Sequence, residues 1–169
     1  HSIGINVSEF FRNPLIYEVL ENRILPNILW KKTREGSRNI RIWSAGCASG
    51  EEPYSIAILL SNLLQNQLND WQIHIFATDI NDQSLSMAKA GLYDETRLRQ
   101  VKLGYLHKHF IPQSDGQFKV SERIRGMVNF SLEDLVTKQR LAPAESIFGN
   151  FDLIFCRNVM IYFNTQARK

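Results

Sequence analysis

The sequence has only two cysteines, Cys47 and Cys156, far apart and in no C-x-x-C pair. That removes both a disulfide framework and a thiolate zinc site. Its four histidines (His1, His74, His107 and His109) form no metal-type cluster, and His107 and His109 read as solvated helix or loop residues. Long apolar runs are missing too. The longest aliphatic stretch is Ile56-Ala57-Ile58-Leu59-Leu60, far short of the roughly 20 residues that span a bilayer. No charged-then-apolar leader opens the chain, so the expectation is a cytoplasmic protein with no metal and no direct membrane insertion. One-sided charge is also absent: 20 basic against 17 acidic residues leave +3, too balanced for a nucleic-acid-binding face. Such a surface still favours encounter with an acidic partner. What is present fits one globular domain: 169 residues, 44% hydrophobic and 11% aromatic, with enough apolar surface to offset the entropy of ordering.

Residues 1–34 read as a helical lead-in segment and 35–169 as the main domain. In the lead-in, Leu15, Val19, Leu20, Ile24, Leu25 and Ile28 recur at helical spacing, and Pro26 is expected to kink or end the helix. Ile40 to Trp43 is a short strand, followed by the small-residue turn Ser44 to Gly50. A helix then starts near Glu52 or Pro53 with Ile56, Leu59, Leu60, Leu63 and Leu64 on its apolar face. A second strand, Ile73 to Thr78, ends in Asp79, and the next helix has Asp82 as N-cap and Gly91 just past its end. Strand, glycine turn, helix, strand, helix is the opening of a parallel α/β sheet. Tyr93 to His109 reads as partly helical. Ser114-Asp115-Gly116 marks a hairpin, which predicts a small β subdomain at about 110–127. Val128 to Phe130 returns to the sheet, and Phe151 to Phe155 forms a further apolar strand before Cys156-Arg157-Asn158.

Ligands of open α/β sheets bind beyond the carboxyl ends of the strands, and four such ends carry distinctive residues. Gly46 and Gly50 permit close backbone approach after the first strand. Their spacing is not the G-x-G-x-x-G of dinucleotide folds, and Glu51 and Glu52 occupy the place of a pyrophosphate. Two carboxylates repel a phosphate and suit an ammonium; on the plainer reading they complement the helix dipole. Asp79 is placed for a ribose diol, and Asp134 for an adenine amino group, with Leu135 against the ring. Arg157, Asn158 and Tyr162 follow the last strand. Together these residues describe a pocket for an adenosine that bears an amino acid and no phosphate, which is S-adenosylmethionine. A nicotinamide-dependent dehydrogenase is disfavoured by the glycine spacing and the acids.

The run Trp43-Ser44-Ala45-Gly46-Cys47-Ala48-Ser49-Gly50-Glu51-Glu52-Pro53-Tyr54-Ser55 closely resembles the signature of the CheR-type chemotaxis-receptor glutamate methyltransferases. So do Phe76-Ala77-Thr78-Asp79-Ile80, the run Phe155 to Phe163, and Asn6-Val7-Ser8-Glu9-Phe10-Phe11-Arg12. The resemblance covers essentially the whole chain. It implies a Rossmann-like class I S-adenosylmethionine-dependent methyltransferase sheet with a small inserted antiparallel β subdomain. It also implies a protein-glutamate O-methyltransferase that acts on the cytoplasmic signalling domains of methyl-accepting chemotaxis receptors and leaves S-adenosylhomocysteine as product. Compared with the family, Ala48-Ser49 replaces the commoner Ser-Thr, and Asp134 stands where Asn is usual. A preceding helical domain and the last sheet strands are expected to be missing.

By the family's pattern, Asn6, Ser8 and Arg12 reach into the site from the lead-in. Glu51 holds the cofactor's ammonium, Asp79 its ribose, and Asp134 with Leu135 its adenine, while Cys156 and Arg157 line the methionine end. Arg12, Arg157 and Tyr162 face the substrate carboxylate, in a dry pocket completed by Phe10 and Phe11. A glutamate side chain has an ordinary pKa near ~4.3 and is already ionised at neutral pH. The chemistry therefore needs aim and desolvation rather than a general base. The alternative from another class is a non-catalytic module that binds S-adenosylmethionine or S-adenosylhomocysteine.

Overall fold

The computed structural model describes residues 8–135, 143 and 150–157. Asn6, Asn158 and Tyr162 therefore lie outside the described residues, as does the helix expected near Asn164.

The lead-in folds as α1 (Pro14–Val19), a π-helical turn (Leu20–Ile24) and α2 (Leu25–Arg34). Pro26 neither ends the helix nor leaves it in ordinary register. The Leu25 N–H bonds to the carbonyl of Leu20, so the widened turn comes just before the residue that has no N–H to give. The proline then sits in the first turn of α2, where its missing donor costs nothing.

The main sheet has β1 (Asn39–Ala45), β2 (Gln72–Asp79), β6 (Val128–Leu132) and β7 (Leu153–Cys156), in the order β6-β2-β1-β7. Every pairing in it is parallel. The strand order reverses at β1, with β2 and β6 on one side and β7 on the other. That is the topological switch at which open α/β sheets form a crevice beyond their carboxyl ends. A second, antiparallel sheet is built from β3 (Leu92–Tyr93), β4 (Phe110–Pro112) and β5 (Phe118–Val120), in the order β3-β5-β4. Its hairpin closes at Ser114-Asp115-Gly116, with the Gln117 N–H on Asp115 Oδ1 at 3.0 Å. The sequence reading placed this hairpin but missed β3. It also ran the subdomain through 122–125, which is the short helix α6 (Glu122–Arg125).

Helix α3 (Glu51–Leu64) crosses from β1 to β2, and Tyr54 and Ile56 through Leu60 are all buried. More than one face is covered because both the sheet and the lead-in pack on it. Phe11 is buried, and its N–H bonds to Ser55 Oγ at 3.1 Å. Phe10 is fully buried between Tyr93 (ring centroids 4.9 Å apart) and Phe110 (5.1 Å). It anchors the lead-in on the small sheet rather than lining an open pocket, which corrects the expectation for that ring. Helix α4 (Asp82–Ala90) is capped by Asn81, whose Oδ1 accepts the Ser84 N–H at 3.0 Å. Asp82 is the first helical residue, not the cap. Gly91 ends α4 in the left-handed region as expected.

Helix α5 (Leu103–His109) brings a further correction. His109 is buried and its Nε2 has no hydrogen-bond partner. Burial, aided by Lys108 and Arg123, lowers its pKa to about 4. No helix among the described residues is long and apolar enough to cross a membrane.

Candidate functional site

The turn between β1 and α3 sits against the end of β2. The Gly46 and Cys47 N–H groups both bond to the Thr78 carbonyl, at 2.8 and 2.9 Å. The Asp79 carboxylate then spans the gap: Oδ2 accepts the Ala48 N–H at 2.7 Å and Oδ1 the Asn81 N–H at 2.9 Å. The Asp79 carbonyl in turn accepts the Glu133 N–H at 2.9 Å, which places Asp134 and Leu135 beside the same strand end. On the other side of β1, Cys156 is in register with Ala45. The next residue, Arg157, reaches the lead-in: its Nη1 donates to the Arg12 carbonyl at 3.1 Å. Its guanidinium lies 5.8 Å from the centre of the Tyr17 ring and 5.5 Å from that of Phe155. Gly46, Asp79, Asp134, Leu135, Cys156, Arg157 and Arg12 thus gather along one edge of the sheet.

Gly50 closes the turn at φ +93°, and a Cβ there would come within 2.8 Å of the Ala88 Cβ. The close seating of the turn on α4 requires glycine at this position.

The two glutamates behave differently. Successive helical residues point about 100° apart, so the pair cannot share one environment. Glu51 turns inward and is fully buried. It is paired with Arg97 and accepts from Ser49 Oγ at 2.9 Å on both oxygens. Glu52 turns toward the sheet and accepts from Ser44 Oγ at 2.8 Å. Burial raises its pKa to about 7, against the pull of the Ser44 hydrogen bond and of Arg157. Burial and the charge of Glu52 likewise push the Tyr17 hydroxyl and the Cys156 thiol up. Glu52 thus stands within electrostatic reach of Arg157, Tyr17 and Cys156. The signal was present in the sequence: Glu52 stands four residues before Ile56 and continues the stripe of α3 that packs on the sheet.

Comparison with known proteins gives the family. Residues 6–169 match the family described as CheR methyltransferase, SAM binding domain. The chain belongs to that family. It is 39% identical over 98% of its length to a chemotaxis protein methyltransferase of Borreliella burgdorferi, of which the match covers 57%. Against chemotaxis protein methyltransferase 1 of Pseudomonas aeruginosa it is 33% identical over 97% of its length, covering 58% of that protein. Against the chemotaxis protein methyltransferase of Listeria monocytogenes the figures are 35%, 98% and 57%. The chain thus spans less than two thirds of the length of these relatives. The mixed α/β architecture, a parallel sheet with a small antiparallel one, is the Rossmann-like form expected for a CheR methyltransferase domain.

The chemistry of the donor set fits the SAM of the family's description. The ligand has no phosphate to be repelled by Glu52, and the ammonium of its amino-acid end is the kind of cation that a nearby carboxylate accepts.

Proposed function

We propose that this chain carries the cofactor and methyl-transfer site of a protein-glutamate O-methyltransferase. The substrate class is glutamate side chains on the cytoplasmic signalling domains of chemotaxis receptors. The observation that carries this reading is the edge that gathers Gly46, Asp79 and Asp134 on one side and Cys156, Arg157 and Arg12 on the other, with the half-buried Glu52 held by Ser44 of β1. The names of the relatives, chemotaxis protein methyltransferases, support the substrate class.

In this reading Asp79 meets the ribose, Asp134 and Leu135 the adenine, and Glu52 takes the ammonium role first assigned to Glu51. Ser8 belongs to the lead-in side of the crevice and Cys156 to its methionine end; Asn6 is assigned to the cofactor by the family's pattern alone. When bound, S-adenosylmethionine supplies an electrophilic methyl group for a carboxylate oxygen to accept. Arg12 and Arg157 orient that carboxylate, with Tyr162 as a further donor. A one-sided contact serves better than a bidentate clamp, which would draw electron density from the attacking oxygen. Tyr17 and Phe155 keep water from the Arg157 side and so strengthen the charge contacts there. No described side chain is needed as a general base, because the nucleophile is ionised at neutral pH.

Transfer of a radiolabelled methyl group from S-adenosylmethionine to receptor-bearing membranes tests the reading. Base-labile label on receptor protein is the expected result. Cofactor binding without label would replace this reading with that of the non-catalytic module, which nothing in the fold or the comparisons favours.

A further inference from the structure

Arg97 has no place in the roles above, yet three segments meet on it. It projects from the 3-10 turn Glu95–Leu98, just beyond β3 of the small sheet. Its Nη1 donates to the Ser8 carbonyl of the lead-in at 2.9 Å, to Ser49 Oγ of the glycine turn at 3.2 Å, and to Glu51 at the start of α3. The backbone repeats the connection, since the Phe10 N–H bonds to the Arg97 carbonyl at 3.0 Å. Tyr93, on the same side of the small sheet, donates its hydroxyl to the Ser49 carbonyl at 2.6 Å. The circuit closes through Ser55, whose Oγ donates to the Glu51 carbonyl at 2.7 Å and accepts the Phe11 N–H at 3.1 Å.

The charges fix the direction of dependence. The Glu51 side chain is fully buried and that of Arg97 is 20% exposed. A carboxylate so enclosed needs its cation, or it must take a proton or admit water. Losing the guanidinium would also free the Ser8 carbonyl from the turn. Ser8 to Phe11 leads directly into Arg12, whose carbonyl holds Arg157.

We propose that Arg97 is a positioning residue for the cofactor. It neutralises Glu51 and clamps the lead-in to the glycine turn, so that the small sheet sets the shape of the crevice. The proposal rests on the methyltransferase reading for its consequence and on the geometry alone for the clamp. A merely structural ion pair would lower the melting temperature and leave the folded protein's cofactor affinity unchanged. A positioning residue changes that affinity.

The test uses Arg97→Met and Arg97→Lys in the full chain. Calorimetric titration with S-adenosylhomocysteine is run at a temperature where circular dichroism shows each variant folded. Amide hydrogen exchange is followed at Phe10 and Phe11 without ligand. The methionine variant should bind roughly two- to a hundredfold more weakly, the span of coupled neighbours, with faster exchange at both amides. Lysine, whose ammonium carries three donors for the three acceptors, should recover part of both. If the methionine variant does not fold, the lysine variant carries the same test with a smaller loss. A folded variant with parental affinity and parental exchange would overturn the proposal. If the parent chain itself binds no S-adenosylhomocysteine, the methyltransferase reading fails, and exchange alone decides the clamp: acceleration upholds it and no change refutes it.

Discussion

Asp79 Oδ2 accepts the backbone N–H of Ala48 at 2.7 Å, joining the carboxyl end of β2 to the turn that leaves β1. The carboxylate is thereby fixed in orientation before any ligand arrives. Each oxygen keeps a lone pair for a further donor such as a ribose hydroxyl.

Asp79→Ala should therefore weaken S-adenosylhomocysteine binding strongly, by about tenfold or more, the equivalent of one lost hydrogen-bonded contact of ~1.4 kcal/mol. It should also destabilise the fold by about 1–3 kcal/mol, because the Ala48 N–H loses its acceptor. Titration calorimetry and chemical denaturation check the two effects separately. Unchanged affinity in the variant would remove Asp79 from the ribose role.

Much of this arrangement could be read from the residues, and the failures have physical causes. The strand end at Asp79, helix α3 and the Asp115-Gly116 hairpin were legible because their signals are local: an apolar run, a glycine turn, a turn dipeptide. The first strand runs two residues past Trp43, through Ser44 and Ala45, because small residues that suit a turn also fit between two parallel neighbours. Strand β3 has two residues, too few to show any alternation, and exists only because β5 pairs with it. His109 appeared solvated because its burial comes from packing that no periodicity reports. Pro26 was read for its local cost alone, whereas a π-helical turn ahead of it removes that cost. Arg97 lies in a polar stretch that resembles solvent-facing sequence, and its partner Glu51 is 46 positions away. The Glu51–Glu52 pair was recognised as a unit, but the split between inward and sheet-facing roles depends on how α3 is rotated.

Arg12→Ala should cut turnover more than cofactor affinity, since the side chain is assigned to the substrate carboxylate rather than to the nucleoside. A fall in kcat of about a hundredfold is expected where a reacting group loses its aim. The affinity for S-adenosylhomocysteine should change much less. Single-turnover methyl transfer measured beside calorimetry separates the two, and an equal loss in both would reassign Arg12 to the cofactor.

Gly50→Ala combines two penalties. The position has φ +93°, and the new Cβ would lie 2.8 Å from the Ala88 Cβ and 3.1 Å from the Tyr93 hydroxyl. A left-handed backbone costs an ordinary residue about 1–2 kcal/mol, and overpacking adds about 1–3 kcal/mol. Gly36→Ala is the control: its φ is +69°, but nothing lies within 4 Å of the added carbon. Thermal unfolding should show the Gly50 variant well below the Gly36 variant. Equal losses would mean that the turn can move away from α4.

Glu52 links proton binding to both stability and cofactor affinity, with opposite signs. Burial lifts its pKa from 4.5 to about 7 in the ligand-free fold. Between those values the folded chain holds a proton that the unfolded chain has released, so this group's contribution to stability falls as pH rises. Its contribution is most favourable below the unfolded value and is lost by the time pH passes the folded one. The cofactor's ammonium instead prefers the ionised carboxylate. Binding should strengthen as pH rises through about 7, until the ammonium itself loses its proton. Glu52→Gln removes the titration, so both slopes should flatten in that window, and affinity should drop most on the alkaline side. Calorimetric titrations and melting curves on both sides of the folded pKa give the two slopes. A parent chain whose affinity is level across the window, or a glutamine variant that keeps the slope, would take the ammonium away from Glu52.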